Sequence, residues 1–234
     1  LYEAKPQHYS NARHHYGSRI VFPPDGKLYF SIGERGAQKL AQDLSRPNGK
    51  IHRINYDGSI PDDNPFLKTA GALPSIFSYG HRNQQGLVVH PVSGTIWETE
   101  HGPKGGDELN TIRVGCNYGW PVITYGINYN GTPITDKTSM PGMEQPVIHW
   151  TPSIAVCGIN VYTGHLMPEW RNHLVVTALK FQEVRIVKIE DDKVTDQEVI
   201  LKNAGRVRDA CTGPDGALYA VMNGPDRIIR IAPQ

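Results

Sequence analysis

The stretch Arg19-Ile-Val-Phe-Pro-Pro-Asp-Gly-Lys-Leu-Tyr-Phe30 sets a Pro-Asp-Gly turn between two short apolar runs. Glycine supplies an unusual backbone conformation at low steric cost, and Pro and Asp also favour turns. The runs on either side are rich in β-branched and aromatic residues, which are typical of strands. The stretch therefore predicts a β-hairpin.

The same unit recurs along the chain. Turns at Pro91-Val-Ser-Gly94 and Pro214-Asp-Gly216 also join two apolar runs, and a weaker unit spans 173–177 and 184–189. Gly26 and Gly94 are 68 residues apart, and Gly94 and Gly216 are 122 apart, twice 61. A further strand-like segment follows three hairpins, at 50–54, 110–113 and 227–231. Helical candidates are confined to 37–44 and 168–172. Four such units predict an all-β fold, a β-propeller, with a β-sandwich as the alternative.

Composition excludes several classes of function. The chain has 24 Lys and Arg against 23 Asp and Glu in 234 residues, a formal net charge of +1. A nucleic-acid-binding protein usually shows a basic excess. No apolar run approaches the ~18–20 residues of a membrane-spanning helix. The three cysteines, Cys116, Cys157 and Cys211, are too few for a disulfide scaffold.

Basic side chains recur at a similar distance before three of the turns. His15 lies 11 residues before Gly26, Arg82 lies 12 before Gly94, and Arg206 and Arg208 lie 10 and 8 before Gly216. If the hairpins are equivalent blades, these groups converge on one pocket of the propeller. Such a pocket suits an anionic ligand and a general base. The alternative is that the arginines pair with carboxylates at exposed strand ends.

The loop Glu100-His-Gly-Pro-Lys-Gly-Gly-Asp-Glu108 is a second candidate site. Ca²⁺ prefers several oxygen ligands, including backbone carbonyls, in a flexible loop. Gly and Pro allow such a shape, and the loop carries carboxylates, but it lacks EF-hand spacing, so an ordinary acidic turn is the alternative. Lys180 follows an apolar run, where it either lies at the mouth of the channel or is simply solvated.

Several segments together resemble the soluble PQQ-dependent aldose sugar dehydrogenases of the glucose/sorbosone dehydrogenase family. The segments are His15-Tyr-Gly-Ser-Arg-Ile-Val-Phe22, Ser31-Ile-Gly-Glu-Arg-Gly36, Gly58-Ser-Ile-Pro-Asp-Asp-Asn-Pro-Phe66, Gly80-His-Arg-Asn-Gln-Gln-Gly86, the loop 100–108, Asn117-Tyr-Gly-Trp-Pro121, Ala178-Leu-Lys180 and Arg206-Val-Arg-Asp209. The resemblance covers the chain from about residue 13 onward. It implies a six-bladed propeller, of which residues 1–234 form a single domain covering roughly four to five blades. Family members extend further upstream of the His15 segment, so we expect an N-terminal portion of the ring to be missing.

The resemblance also implies roles for individual residues. His15 matches the catalytic base. Cofactor-binding roles fall on Arg82, Asn83, Lys180, Arg206 and Arg208, which match residues that hold PQQ. The carbonyls of Gly102 and Pro103 match ligands of the Ca²⁺ that contacts PQQ, and Glu108 and the carbonyl of Tyr118 match part of a second Ca²⁺ site. Trp150 matches a region that borders the substrate.

The function implied by the resemblance is oxidation of the C1 hydroxyl of an aldose to a lactone, with hydride transfer to PQQ and an external electron acceptor. The implied location is periplasmic or secreted, without a nucleic-acid partner or a membrane span. The alternatives are a non-catalytic propeller used as a binding module and an inactive fragment of the dehydrogenase. Retention of His15 together with the basic set favours the enzyme, because a binding module has no need of that combination.

Overall fold

The computed structural model describes residues 1–233 of the chain. Within this range fifteen strands form four antiparallel sheets, each built from consecutive strands. The first sheet contains β1 (Gly17–Val21), β2 (Lys27–Ile32), β3 (Lys50–Asn55) and β4 (Ile76–Tyr79). The second contains β5 (Gln84–Val89), β6 (Ile96–Glu100), β7 (Asp107–Thr111) and β8 (Ile148–Trp150). The third contains β9 (Val156–Val161), β10 (Leu174–Ala178), β11 (Glu183–Glu190) and β12 (Lys193–Leu201). The fourth contains β13 (Arg206–Thr212), β14 (Leu218–Asn223) and β15 (Arg227–Ile231).

The Pro-Asp-Gly turns of the first and fourth sheets are built alike. Gly26 and Gly216 both have positive φ, 74° and 80°. In the first turn the Asp25 carboxylate accepts hydrogen bonds from the backbone N–H of Lys27 at 3.0 Å and the Tyr29 hydroxyl at 2.9 Å. In the fourth sheet Asp215 accepts the equivalent bonds from the Ala217 N–H at 3.2 Å and the Tyr219 hydroxyl at 3.0 Å. The repeated sequence therefore makes a repeated structure.

The first strands of successive sheets lie side by side and run in the same direction. The N–H of Gly17 donates to the Asn83 side chain, the thiol of Cys157 lies 3.9 Å from Gln85, and Gly158 lies against Asp209. These contacts join corresponding positions near the starts of β1, β5, β9 and β13. All four of these strands therefore begin at one end of the molecule, which we call the upper face.

Three apolar clusters hold the sheets together. One lies between the second and third sheets around Trp97 and Val176, and another joins the third and fourth sheets around Ile186 and Leu218. A smaller cluster around Ile51 packs the first sheet against the second. An ion pair also links the first and fourth sheets, with Arg19 Nη1 2.9 Å from Asp209 Oδ2.

The remaining elements are short. Three 3₁₀ helices span Pro6–His8, Gln38–Ala41 and Pro168–Trp170 within the described residues. The two helical candidates of the sequence thus become single 3₁₀ turns. The fourth sheet has three strands within the described residues, whereas each of the other sheets has four. No helix in residues 1–233 has the length and apolarity needed to cross a bilayer.

Candidate active site

His15 lies on the upper face, two residues before β1. Its backbone is left-handed, with φ of 56°. The imidazole Nδ1 is hydrogen-bonded to a carboxylate oxygen of Glu34, which is fully buried, while the His15 side chain is 18% exposed. Because a carboxylate only accepts, Nδ1 carries the proton and donates it. In the neutral form of the ring, Nε2 is then the acceptor nitrogen, and it accepts no hydrogen bond within residues 1–233.

Arg82 and Asn83 stand directly before β5, and both side chains are buried. Nη1 of Arg82 donates to the carbonyls of His101 at 3.1 Å and Gly102 at 2.9 Å, and its guanidinium lies 5.2 Å from the Trp120 ring centroid. Asn83 Oδ1 accepts the Gly17 N–H at 3.3 Å, two residues from His15. The second sheet thereby positions the strand start that carries the imidazole.

The predicted cation-binding loop approaches the same arginine. The Gly102 carbonyl already accepts from Arg82, but a carbonyl oxygen has two lone pairs and can serve a second partner. Within residues 1–233 the Pro103 carbonyl accepts no hydrogen bond. Asp107, in contrast, is satisfied by Gly102, Ser153 and Val156. The open groups of this loop are therefore its carbonyls.

Glu108 and Tyr118 both line a small cavity of about 10 Å³ beside Arg82 and Glu100. That volume holds about one water-sized sphere. Asn110 Nδ2 donates to Glu98 at 3.1 Å and to Glu108 at 3.2 Å, which ties two carboxylates together. The ligand atoms of His81, Glu98 and Glu100 lie within 4.8 Å of one another, an arrangement that could hold a metal ion.

The carboxylates of Glu98, Glu100 and Glu108 lie close enough to repel one another. Burial, and after it the charge of Glu100, raises the pKa of Glu98 well above its usual range, and the same two causes raise the pKa of Glu108. Oε1 of Glu98 is buried without a hydrogen-bond partner in the described residues. A cation would relieve both the repulsion and the missing contact.

Sequence reasoning missed several of these residues. Glu34, His81 and Glu100 stood in quoted segments without a role of their own, and Glu98 was not quoted. The signal for Glu34 was its place two residues after β2, the strand that pairs with β1. The signal for Glu98 and Glu100 was their alternation in Trp97-Glu-Thr-Glu100, an unusual pattern for a strand buried along its whole length.

The other predicted site residues occupy different environments. Lys180 is exposed beside the start of β9, since its N–H donates to the Ile154 carbonyl at 3.0 Å. Arg206 and Arg208 are exposed near the start of β13, and Arg208 Nε donates to Asn223 at 2.9 Å. Basic groups from the second, third and fourth sheets thus lie at the upper face.

Trp150 does not join them. It is 7% exposed and packs into the apolar cluster between the second and third sheets, and its indole N–H donates to Gln197 at 3.3 Å. The indole is thus packed between the second and third sheets, at the end of β8 where Trp150 pairs with Asp107. The contact of Trp150 with the substrate stays a prediction.

The fold and this arrangement of groups match one family of enzymes. The chain matches Glucose / Sorbosone dehydrogenase over residues 1–230, and it belongs to that family. It is 43% identical over 224 residues to aldose sugar dehydrogenase YliI of Escherichia coli strain K12, covering 94% of this chain and 60% of that protein. The apo crystal structure of the soluble aldose sugar dehydrogenase from Escherichia coli superposes with a TM-score of 0.90 at 42% identity, covering 94% of this chain and 65% of that one.

A PQQ-bound aldose sugar dehydrogenase from Streptomyces coelicolor is also similar, with a TM-score of 0.73 at 30% identity, covering 93% of this chain and 61% of that one. The prediction of an all-β chain of the six-bladed propeller type is confirmed, and the chain contributes four sheets of it. The chain thus spans 60–65% of the length of these three relatives.

Proposed function

We propose that the protein oxidises the C1 hydroxyl of aldose sugars to lactones with PQQ as cofactor and Ca²⁺ as metal. The observation that carries the proposal is the pairing of His15 with the buried Glu34 at the upper face, where basic side chains of three other sheets also lie. Membership of a sugar dehydrogenase family and similarity to a PQQ-bound relative support it.

His15 acts as the general base. Its Nε2 accepts the proton of the sugar C1 hydroxyl, and the positive charge that forms on the ring is stabilised by the Glu34 carboxylate at Nδ1. The same contact fixes the tautomer and the ring orientation. When bound, PQQ supplies the hydride acceptor, and Ca²⁺ supplies Lewis-acid polarisation of it.

The residues present fit a carboxylate-rich quinone. Buried Arg82 Nε, His101 Nε2 and Trp120 Nε1 lack hydrogen-bond partners in the described chain, and all three residues line the cavity beside the loop. Buried polar groups of this kind usually have a partner, and a water or an ion in the cavity can supply it. Arg82, Asn83, Lys180, Arg206 and Arg208 would hold the anionic groups, because positive charge favours both the carboxylates and the reduced cofactor.

The residues also fit calcium. The carbonyls of Gly102, Pro103 and Tyr118 and the carboxylate of Glu108 are hard oxygen donors of the kind that Ca²⁺ prefers, and Gly102, Glu108 and Tyr118 line the same small cavity. Glu98 and Glu100 add negative charge that favours a divalent ion over water. As part of the same proposal, an external acceptor takes the electrons, and the protein is periplasmic or secreted.

The test is dye-linked oxidation of glucose and other aldoses by the protein with PQQ and Ca²⁺ added, alongside titration of PQQ binding. We expect His15→Ala to bind PQQ normally and to lose turnover by ~10²–10⁴, the usual cost of removing a positioned general base. The adjacent exposed His14 is the matched control, and His14→Ala should retain most activity. PQQ binding without turnover in the unmodified protein would instead support a binding module, and near-normal turnover of His15→Ala would show that another group is the base.

A further inference from the structure

We propose that Arg35 is a positioning residue for His15: it acts as a clamp that holds the main chain before the base and the Tyr16 ring after it. This inference rests on the proposed function for its catalytic consequence. The contacts themselves are independent of that function. Arg35 follows Glu34 directly in the sequence. Glu34 bonds the imidazole of His15, and Arg35 bonds the main chain of the same short segment.

Three contacts of Arg35 bracket His15. Nε donates to the carbonyl of His14 at 3.0 Å, and Nη2 donates to the carbonyl of Ala12. The guanidinium carbon lies 3.9 Å from the centroid of the Tyr16 ring, a cation–π geometry. The contacts thus fall on residues immediately before and after the base.

The segment needs such a clamp because two of its residues adopt an energetically unfavourable backbone conformation. His15 has φ of 56° and Ser18 has φ of 73°, although both carry a side chain. Non-glycine residues in this region persist only where surrounding contacts impose the conformation. The N–H of Gly33 donates to the Tyr16 carbonyl at 3.0 Å, but 12–15 precede β1 and have no strand partner in the described chain. Arg35 supplies the missing tethers.

The glycines that flank this pair complete the fit. A β-carbon at Gly33 would overlap the His15 carbonyl oxygen, and a β-carbon at Gly36 would overlap Nε2 of His14. The turn from Gly33 to Gly36 therefore approaches the base as closely as a backbone can. Every residue of the turn contacts 12–17, which is expected of a support for the base rather than of a solvated loop.

An arginine is chemically suited to this role. Its planar fork can donate to two carbonyls while its face stacks on an aromatic ring, whereas lysine offers a single point charge. Arg35 also carries positive charge near the upper face, so binding an anionic group of the cofactor is the competing role. The two roles differ in what is lost on mutation: a clamp affects turnover and local order, and a cofactor ligand affects PQQ affinity.

The experiment compares Arg35→Ala and Arg35→Lys with a matched control, Arg46→Ala. Arg46 likewise donates to a main-chain carbonyl of the N-terminal segment, that of Gln7 at 2.9 Å, but it does not touch residues 12–16. Four quantities are measured: kcat with saturating PQQ and sugar, KM for the sugar, Kd for PQQ, and the rate of tryptic cleavage after Arg13 in the cofactor-free protein. Arg13 is exposed, so cleavage there reports release of the segment.

For Arg35→Ala we expect kcat to fall by about 10–100-fold, since misplacing a reacting group by about 1 Å costs about that much. KM and the PQQ Kd should stay within about twofold of the unmodified protein, and cleavage after Arg13 should accelerate by about tenfold. Arg35→Lys should lie between, and Arg46→Ala should leave kcat and cleavage at Arg13 unchanged.

Other results would overturn the inference. Unchanged kcat and unchanged cleavage in Arg35→Ala would show that Arg35 is not a clamp. Weakened PQQ binding with normal kcat at saturation would make it a cofactor ligand instead. If the unmodified protein oxidises no sugar, the proposed function is wrong, and the tryptic rates alone decide whether the clamp exists. Should Arg35→Ala not fold, the same four quantities in Arg35→Lys decide the matter.

Discussion

The two halves of the molecule bury different kinds of side chain. Of the buried polar and charged side chains, all but Thr177 and Glu183 lie between Ser31 and Thr124, in the first two sheets and the loops that join them. The third and fourth sheets instead pack around aliphatic side chains such as Val175, Ile186 and Leu218, all fully buried. Both halves nevertheless use the same hairpin unit.

The difference shows that repeats of one fold can serve different roles, with polar groups buried in some sheets and apolar packing in others. Burying charged groups such as Glu98 and Lys50 costs free energy unless each is fully paired, so a ligand site destabilises the sheets that carry it. Apolar packing in the other half offsets that cost, because burial of aliphatic surface is the main stabilising term in folding. We therefore expect the stability of the first two sheets (the site half) to depend more strongly on pH and cation binding than that of the third and fourth sheets (the packing half).

The largest expected effect comes from the packing half. Ile186→Ala removes a fully buried side chain from the cluster between the third and fourth sheets, and this should lower the free energy of unfolding by about 2–5 kcal/mol. The control is Val199→Ala on the neighbouring strand β12, where the side chain is 42% exposed and little should change. Urea unfolding measures both. An equal loss in the two variants would show that this half is not the apolar anchor.

A smaller effect, confined to acid pH, should come from His52 in the site half. Burial lowers the pKa of His52 to about 4 from a usual value of 6.5, and the neutral ring bonds Ser75 and the Pro47 carbonyl. The unfolded chain therefore takes up a proton first as the pH falls. Stability is fully present above pH 6.5 and is lost progressively toward pH 4, by roughly 3 kcal/mol for this group.

Urea unfolding between pH 4 and pH 8 tests this dependence. His52→Gln should unfold more readily at pH 8, because its bonds to the loop are lost, but the decline toward pH 4 should become shallower. If the slope stays as steep in His52→Gln as in the unmodified protein, other groups account for the loss in acid.

The third effect concerns the cation. Removing Ca²⁺ with EDTA should lower the melting temperature, since a ligand that binds only the folded state at 100 times its Kd stabilises it by about 2.7 kcal/mol. Glu98→Gln removes one of the crowded carboxylates, so the cofactor-free variant should melt higher than the unmodified apo protein and respond less to Ca²⁺. Differential scanning calorimetry with metal analysis measures both. An EDTA-treated sample that is proven metal-free yet melts unchanged would argue against a cation here.

The repeated architecture was predictable because its signals are local. Pro24-Asp-Gly26 and Pro214-Asp-Gly216 form turns through contacts within five residues. The basic residues before β1 and β5 and at the start of β13 follow from counting back along each hairpin. The weak third unit was recognisable by spacing, although no Asp-Gly turn marks it.

The fine structure of the site was not predictable in the same way, because it depends on contacts between distant segments. Glu34 reaches His15 across β1 and β2, and Asn110 joins two glutamates from different strands. Lys50 would be expected to be solvated, yet it is fully buried and its ammonium donates to three loop carbonyls at 2.7–2.9 Å. The burial of Trp150 between the second and third sheets was likewise not indicated by the sequence.

The ion pair of Arg19 with Asp209 has a consequence for biosynthesis. The partners are 190 residues apart, and ribosomes add roughly 5–20 residues per second, so about 10–40 s separate their synthesis. Each sheet can form from its own consecutive strands during that interval, but this pair cannot form until the fourth sheet has emerged. Energy transfer between a donor and an acceptor dye attached at positions 19 and 209 would therefore report when the first and fourth sheets come together during synthesis.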